Sequence, residues 1–297
     1  MRDFFFSPFA DNEFLRLSLV ATCIVAVTCA IAGTFVVLRG LAFVGDALAH
    51  GVVPGVAVAL LAGVSGIIGA AVGAAVMMAG VGVVNRRYRL SGDTSIGLLF
   101  VGMLSLGVII QSRSSSFAGD LTKLLFGEVL GVAWSDIAWQ CAALLVVGVT
   151  AWVCRRPFLL LSVDEGLATT SGFPASRYAN VMLAMVALTV VASFQTVGTL
   201  LVMGMLVAPA ATGALFGRTI RGVMSIATAV GVVSSYVGLL VSYHADLAAG
   251  ASIVLTAVVV FAVSAIAVEL RRWWDHRKDI HHLSLIHISE PTRRYAI

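Results

Sequence analysis

Leu41-Ala-Phe-Val-Gly-Asp46-Ala-Leu-Ala-His50-Gly-Val-Val-Pro54-Gly55 lies within an apolar run from Leu41 to Leu61. A helix needs about 20 such residues to cross the hydrocarbon of a bilayer. The run is too long for a barrel strand and lacks period-two alternation. Two ionisable residues sit inside it, followed by a cluster of Gly and Pro. Eight more apolar runs flank it: Leu15–Leu38, Gly66–Val84, Thr94–Gln111, Trp134–Val153, Tyr178–Thr196, Val197–Phe216, Gly222–Ser242 and Ala249–Leu270. Val197–Phe216 is the weakest, because Pro209 interrupts it and almost no loop precedes it. The expected fold is therefore all-α: a polytopic transmembrane helical bundle of eight or nine spans.

Composition agrees. Of 297 residues, 60% are hydrophobic and only 11% charged, and the mean hydropathy is +1.01. Soluble domains carry about 25% charged residues, so most of this surface must be wetted by lipid. The 29 glycines fit membrane helices, where small residues let backbones approach closely. Cys23, Cys29, Cys141 and Cys154 lie in apolar stretches without a CxxC pair and read as buried apolar residues, not disulfides. Met1–Asn12 is aromatic and lacks the basic region and cleavage site of a signal peptide.

The net charge of +4 is explained by topology rather than by a nucleic-acid partner. Arg39, Arg86, Arg87, Arg89, Arg155, Arg156, Arg218, Arg221, Arg271, Arg272, Arg277 and Lys278 all fall between or after spans on one face if there are nine spans. The positive-inside rule makes that face cytoplasmic. Arg2, Arg16, Arg113 and Lys123 are left for the other face. The N-terminus is then outside, the C-terminus cytoplasmic, and the protein is placed in the cell (inner) membrane. Gly119–Gly131, with Asp120, Lys123 and Glu128, is too short and charged to span and reads as an interfacial helix on the outer face.

Asp46 and His50 are the candidate chemistry. An ionised Asp at a helix centre costs about 2.5–3.5 kcal/mol on insertion scales, so such groups tend to face a cavity or a partner. The i, i+4 spacing puts both on one helix face. Carboxylate oxygen with imidazole nitrogen suits zinc, manganese or iron(II). Gly51, Pro54 and Gly55 weaken the helix just beyond the pair, as happens where backbone lines a cavity. Spacing alone also fits a pair that merely hydrogen-bonds neighbouring helices or lies near the interface.

Ser162-Val-Asp164-Glu165-Gly-Leu-Ala168-Thr-Thr-Ser-Gly172-Phe-Pro174 is a polar segment on the cytoplasmic face. Ser162 suits an N-cap, Asp164 and Glu165 the first turn, and Gly172 with Pro174 the end. It fits both a helix that docks into a soluble partner and an ordinary capped loop helix. Asp93-Thr94 reads as the start of the fourth span. No GxxxxGK[ST], HExxH or GxSxG occurs, so the chain carries no P-loop of its own and lacks the commonest catalytic signatures; it is not expected to be an enzyme. Ser284–Arg294 resembles a translated sequencing-adapter read. Residues 284–297 are therefore read as non-native, and the four histidines His276, His281, His282 and His287 carry no functional reading.

Five segments stand in order along the chain: Phe35 to Gly55, Asp93-Thr94-Ser-Ile96-Gly97, Leu125-Phe126-Gly127-Glu-Val-Leu-Gly131, Asp164 to Gly172, and Gln195-Thr-Val-Gly198 through Ala208-Pro209-Ala210-Ala211-Thr212. Together they resemble the integral-membrane permease family of zinc, manganese and iron ABC importers. The resemblance runs in order from about Gly33 to Ala262. It implies a type II importer-like ABC permease, homodimeric or pseudo-dimeric. It further implies a cytoplasmic ABC ATPase that hydrolyses ATP, an extracytoplasmic metal-binding protein, and no permanently bound cofactor. It associates Asp46 and His50 with a metal transit site. It likens Asp164–Gly172, with Asp164, Glu165, Ala168 and Gly172, to the coupling helix that enters the ATPase. The domain reading is an N-terminal extracytoplasmic segment over 1–14, a permease domain over 15–271 with the coupling helix near 162–173, and a cytoplasmic tail over 272–297. The rival class is a stand-alone secondary metal carrier, which would need no docking helix and more often shows inverted repeats and further buried carboxylates.

Overall fold

In the computed structural model, residues 8–9, 12–88, 92–112 and 127–287 are described, apart from the side chains of 85, 86, 92, 93, 195 and 275–287. All regular structure among them is helical. The helices are α1 (Glu13–Leu38), α2 (Ala42–Gly51), α3 (Val53–Leu61), α4 (Gly66–Tyr88), α5 (Gly92–Gln111), α6 (Trp134–Val153), α7 (Arg155–Val163), α8 (Glu165–Thr170), α9 (Ala175–Phe216), α10 (Ile220–Ala245) and α11 (Ala249–His287). A 3-10 turn, Val129–Gly131, precedes α6. Nine stretches among the described residues are long and apolar enough to cross a membrane. They match the runs read from the sequence, with α2 and α3 forming one span.

The chain is organised around α1 and α9. Both arms of α9 are apolar, and the 42-residue helix is broken at one point: Gly198, at φ 70° and ψ 167°. Gly127 approaches that point so closely that a Cβ on it would lie 2.3 Å from the Gly198 nitrogen. This is the end of the bundle where α1 begins, since the Ser18 hydroxyl donates to the Val129 carbonyl at 2.6 Å. At the other end Phe35 meets Phe158 edge-on. The first arm, Ala175–Phe194, therefore runs towards the start of α1. The second arm, Thr196–Phe216, runs back beside α1, with the Cys29 thiol 4.0 Å from the Val202 carbonyl and Gly33 against Leu206 and Ala210. Reversing a membrane helix within so few residues requires a positive φ, which glycine adopts without steric cost.

Pro209, expected to interrupt this span, does not. It lies inside helical backbone. Its missing N–H is tolerable within a bundle whose neighbours exclude water and satisfy the remaining polar groups. The Gly-rich surface near Pro54 is a packing device: a Cβ on Gly55 would meet the Gly69 carbonyl oxygen at 2.1 Å and the Gly73 nitrogen at 2.9 Å. α3 and α4 thus cross backbone to backbone, as small residues permit.

Two expectations need correction. The last helix does not end at Leu270 but continues to His287, so the chain after Arg271 begins as helix. Of the Gly119–Gly131 segment, read as an interfacial helix, the described end holds a 3-10 turn; its remainder lies outside the described residues, as do Arg2, Arg89, Arg113, Lys123 and 288–297. Ser162 is no N-cap: it sits inside α7, its hydroxyl donating back to the Phe158 carbonyl at 2.8 Å. The four cysteines are free thiols.

Candidate functional site

α2 positions the charged pair. His50 Nε2 lies 3.4 Å from Asp46 Oδ1, with side-chain exposures of 22% and 16%. The i, i+4 geometry read from the sequence is therefore realised as direct contact. Val44, Ala47, Leu48 and Ala49 are buried, which fixes the roll of α2 and leaves the Asp46–His50 edge half-open. The His50 ring meets Phe100 of α5 edge-on, centroids 5.5 Å apart, and Phe43 also packs on Phe100. His50 Nδ1 is buried with no hydrogen-bond partner. Such an orphan costs about 1–3 kcal/mol, so it marks a position where a further partner would be favourable. Among the described residues, no group of three or more His, Cys, Asp or Glu is gathered closely enough to hold a metal ion. One copy of the chain therefore offers one carboxylate and one imidazole.

The polar segment folds as α8, shorter than the expected 162–173. Asp164 is its N-cap, accepting from the Leu167 N–H at 2.7 Å, which satisfies one orphan donor of the first turn. Gly172, at φ +86°, closes it: the Phe173 N–H donates to the Ala168 carbonyl at 3.0 Å, the αL ending that glycine favours. Ala168 was expected on the docking face. It is instead fully buried, because its side chain faces the permease, and the outward face carries Leu167, 45% exposed, with Thr169 and Thr170.

One contact was not foreseen. The Arg39 guanidinium binds the Glu165 carboxylate, tying α8 to the α1–α2 turn, seven residues before Asp46. Arg39 is 12% exposed and Glu165 67%, so the pair adds little to stability but fixes position. The sequence flagged both residues, Arg39 for charge topology and Glu165 for docking; their separation of 126 positions left no signal that they meet. A second polar contact missed by sequence lies at the opposite end, where Gln140 Nε2 donates to the Thr196 hydroxyl at 2.6 Å beside the Gly198 turn.

Among the described residues, nine candidate spans, a polar helix held at one end of the bundle, and an acid–imidazole pair on a span linked to it make this a polytopic membrane protein. The chain belongs to the ABC 3 transport family, whose sequence profile matches residues 11–268. It is 34% identical over 261 residues to the manganese transport system membrane protein MntC of Halalkalibacterium halodurans, covering 88% of this chain and 89% of that one. It is also 34% identical to the chelated iron transport system membrane protein YfeD of Yersinia pestis, covering 87% and 86%. Among solved structures, PsaBC from Streptococcus pneumoniae in complex with Fab superposes with a TM-score of 0.80 at 31% identity, covering 89% of this chain and 95% of that one. Family membership makes this a transport subunit of a multi-pass membrane system and sets aside the stand-alone carrier.

Proposed function

We propose that this chain is the membrane-spanning subunit through which a separate ATPase drives import of a divalent transition-metal ion, with Asp46 and His50 as a transit site. The observation that carries this reading is the pair itself: two metal-compatible donors in contact on a half-open face, one with an unpartnered buried nitrogen. Relatives whose names specify manganese or iron support that class of cargo, and zinc fits the same donors. Two copies would bring two oxygens and two nitrogens to one ion, enough for a four-coordinate transit site. A dimer across the open α2 face is therefore part of the proposal.

ATP-driven motion reaches the site through α8. Force on its exposed face passes through the Glu165–Arg39 pair into the α1–α2 turn and so into α2. Arg155, Arg156, Arg218 and Arg221 gather at this end of the bundle, which supports a cytoplasmic placement and hence an outside N-terminus. The test is uptake of radiolabelled manganese and iron by proteoliposomes holding the permease and its ATPase. Asp46→Ala and His50→Ala are expected to abolish uptake while assembly and ATP hydrolysis persist. Wild-type uptake in both variants would remove the pair from the path.

A further inference from the structure

A cavity of about 750 Å³ opens between α1, α6, α7 and the α9–α10 junction, away from Asp46 and His50. Its inner wall is apolar, including Ile31, Phe35, Ala151 and Met224, and its mouth carries Arg155, Arg156, Arg218 and Arg221. The volume falls in the range of roughly 300–1,000 Å³ typical of ligand sites.

The four arginines are exposed, and no acidic residue lines the cavity. Among the described residues none of the four takes part in an ion pair. Orientation of the chain in the membrane needs positive charge at this end but does not need it around a hole. Trp152, 71% exposed, also lines the cavity; tryptophan favours the level of lipid headgroups. The N-termini of α7 and α10 point their N–H ends here, but α6 and α9 end close by and their carbonyl ends offset that dipole. The guanidinium charges therefore decide what binds.

We infer that this cavity is a binding site for an anionic glycerophospholipid, such as phosphatidylglycerol, from the leaflet at this end of the bundle. The phosphodiester would sit among the four guanidiniums, whose planar forks match phosphate oxygens, and one acyl chain would lie along the Ile31–Met224 wall. Free phosphate would satisfy the arginines but leave the apolar wall wet, so the cavity selects a lipid over a free anion. The bound lipid would brace α7, which leads directly into α8.

Native mass spectrometry of the full chain in detergent, supplied with phosphatidylglycerol or phosphatidylethanolamine, tests this. Phosphatidylglycerol is expected to remain bound selectively. Arg155→Gln with Arg218→Gln should weaken it roughly thirtyfold, since both basic residues contribute to holding an anionic lipid. The paired control Arg271→Gln with Arg272→Gln, on α11, should leave it intact. Gly148→Leu fills the apolar wall without touching charge; a Cβ at 148 meets nothing within 4 Å, so the variant folds, and it should also lose lipid. Retention of lipid by Gly148→Leu, or equal displacement by inorganic phosphate, would reduce the site to an anion patch and overturn the proposal. Equal loss in the Arg271/Arg272 control, or arginine variants that keep the lipid yet no longer co-purify with the ATPase, would overturn it too.

Discussion

The span Ala42–Leu61 and the span Ala249–Trp274 are built on opposite rules. The first has a mean hydropathy of 1.7 over an 18-residue window and 67% of that window buried; the second has 2.6 and 17%. In a soluble protein the more apolar helix would be the inner one. Here the outer helix touches lipid, and apolar character all round is what lipid demands, whereas the inner helix can keep Asp46 and His50 because protein shields and pairs them. Hydropathy thus finds the spans but does not rank their burial: Glu13–Leu38, at 2.4, is also 67% buried, and Trp134–Val153, at 1.6, only 28%.

Carrying an aspartate to the outer helix should break the comparison most sharply. Val259→Asp places on a 51%-exposed lipid-facing position the residue type that α2 tolerates at 46. Insertion should become less favourable by about 2.5–3.5 kcal/mol, read as loss of membrane-integrated protein in a glycosylation-mapping assay; normal integration would mean α11 faces protein in the assembly. A leucine at two glycines sharpens the contrast further. Gly55→Leu drives side chain into the α4 backbone and should cost about 1–3 kcal/mol as overpacking, seen as a lower melting temperature in detergent. Gly148→Leu, whose side chain enters the open space of the arginine-mouthed cavity, should melt like wild type.

The smallest expected effect on stability lies at α8. Glu165→Gln removes an ion pair worth about 0.2–1 kcal/mol, so melting should barely move, yet uptake per ATP hydrolysed should fall. The exchange Arg39→Glu with Glu165→Arg should recover part of it. Stoichiometry unchanged by Glu165→Gln would take the pair out of the coupling route. Leu167→Cys should crosslink to the ATPase, and Ala168→Cys, buried against the permease, should not; the reverse pattern would refute the roll of α8 described above.

The spans, to within the choice of eight or nine, their approximate limits and the clustering of arginines were legible in the sequence, because each depends on local composition averaged over about 20 residues. The contact between Asp46 and His50 was legible for the same reason: it lies within one helix turn. What tertiary structure decided involves residues far apart in the chain or a single dihedral angle. Pro209 looked like an interruption of the Val197–Phe216 span because proline disrupts helices in general, but the backbone there stays helical; the boundary read between Thr196 and Val197 is realised at Gly198, where Gly127 presses on the backbone and a positive φ turns the chain. Ala168 looked like a contact residue because its segment is polar; which way α8 rolls depends on packing against its neighbours. The Arg39–Glu165 tie and the arginine-mouthed cavity arise only when distant segments converge. Composition follows from what each residue prefers as a solvent, and contacts of this kind follow from the one arrangement in which all the helices bury their small residues together.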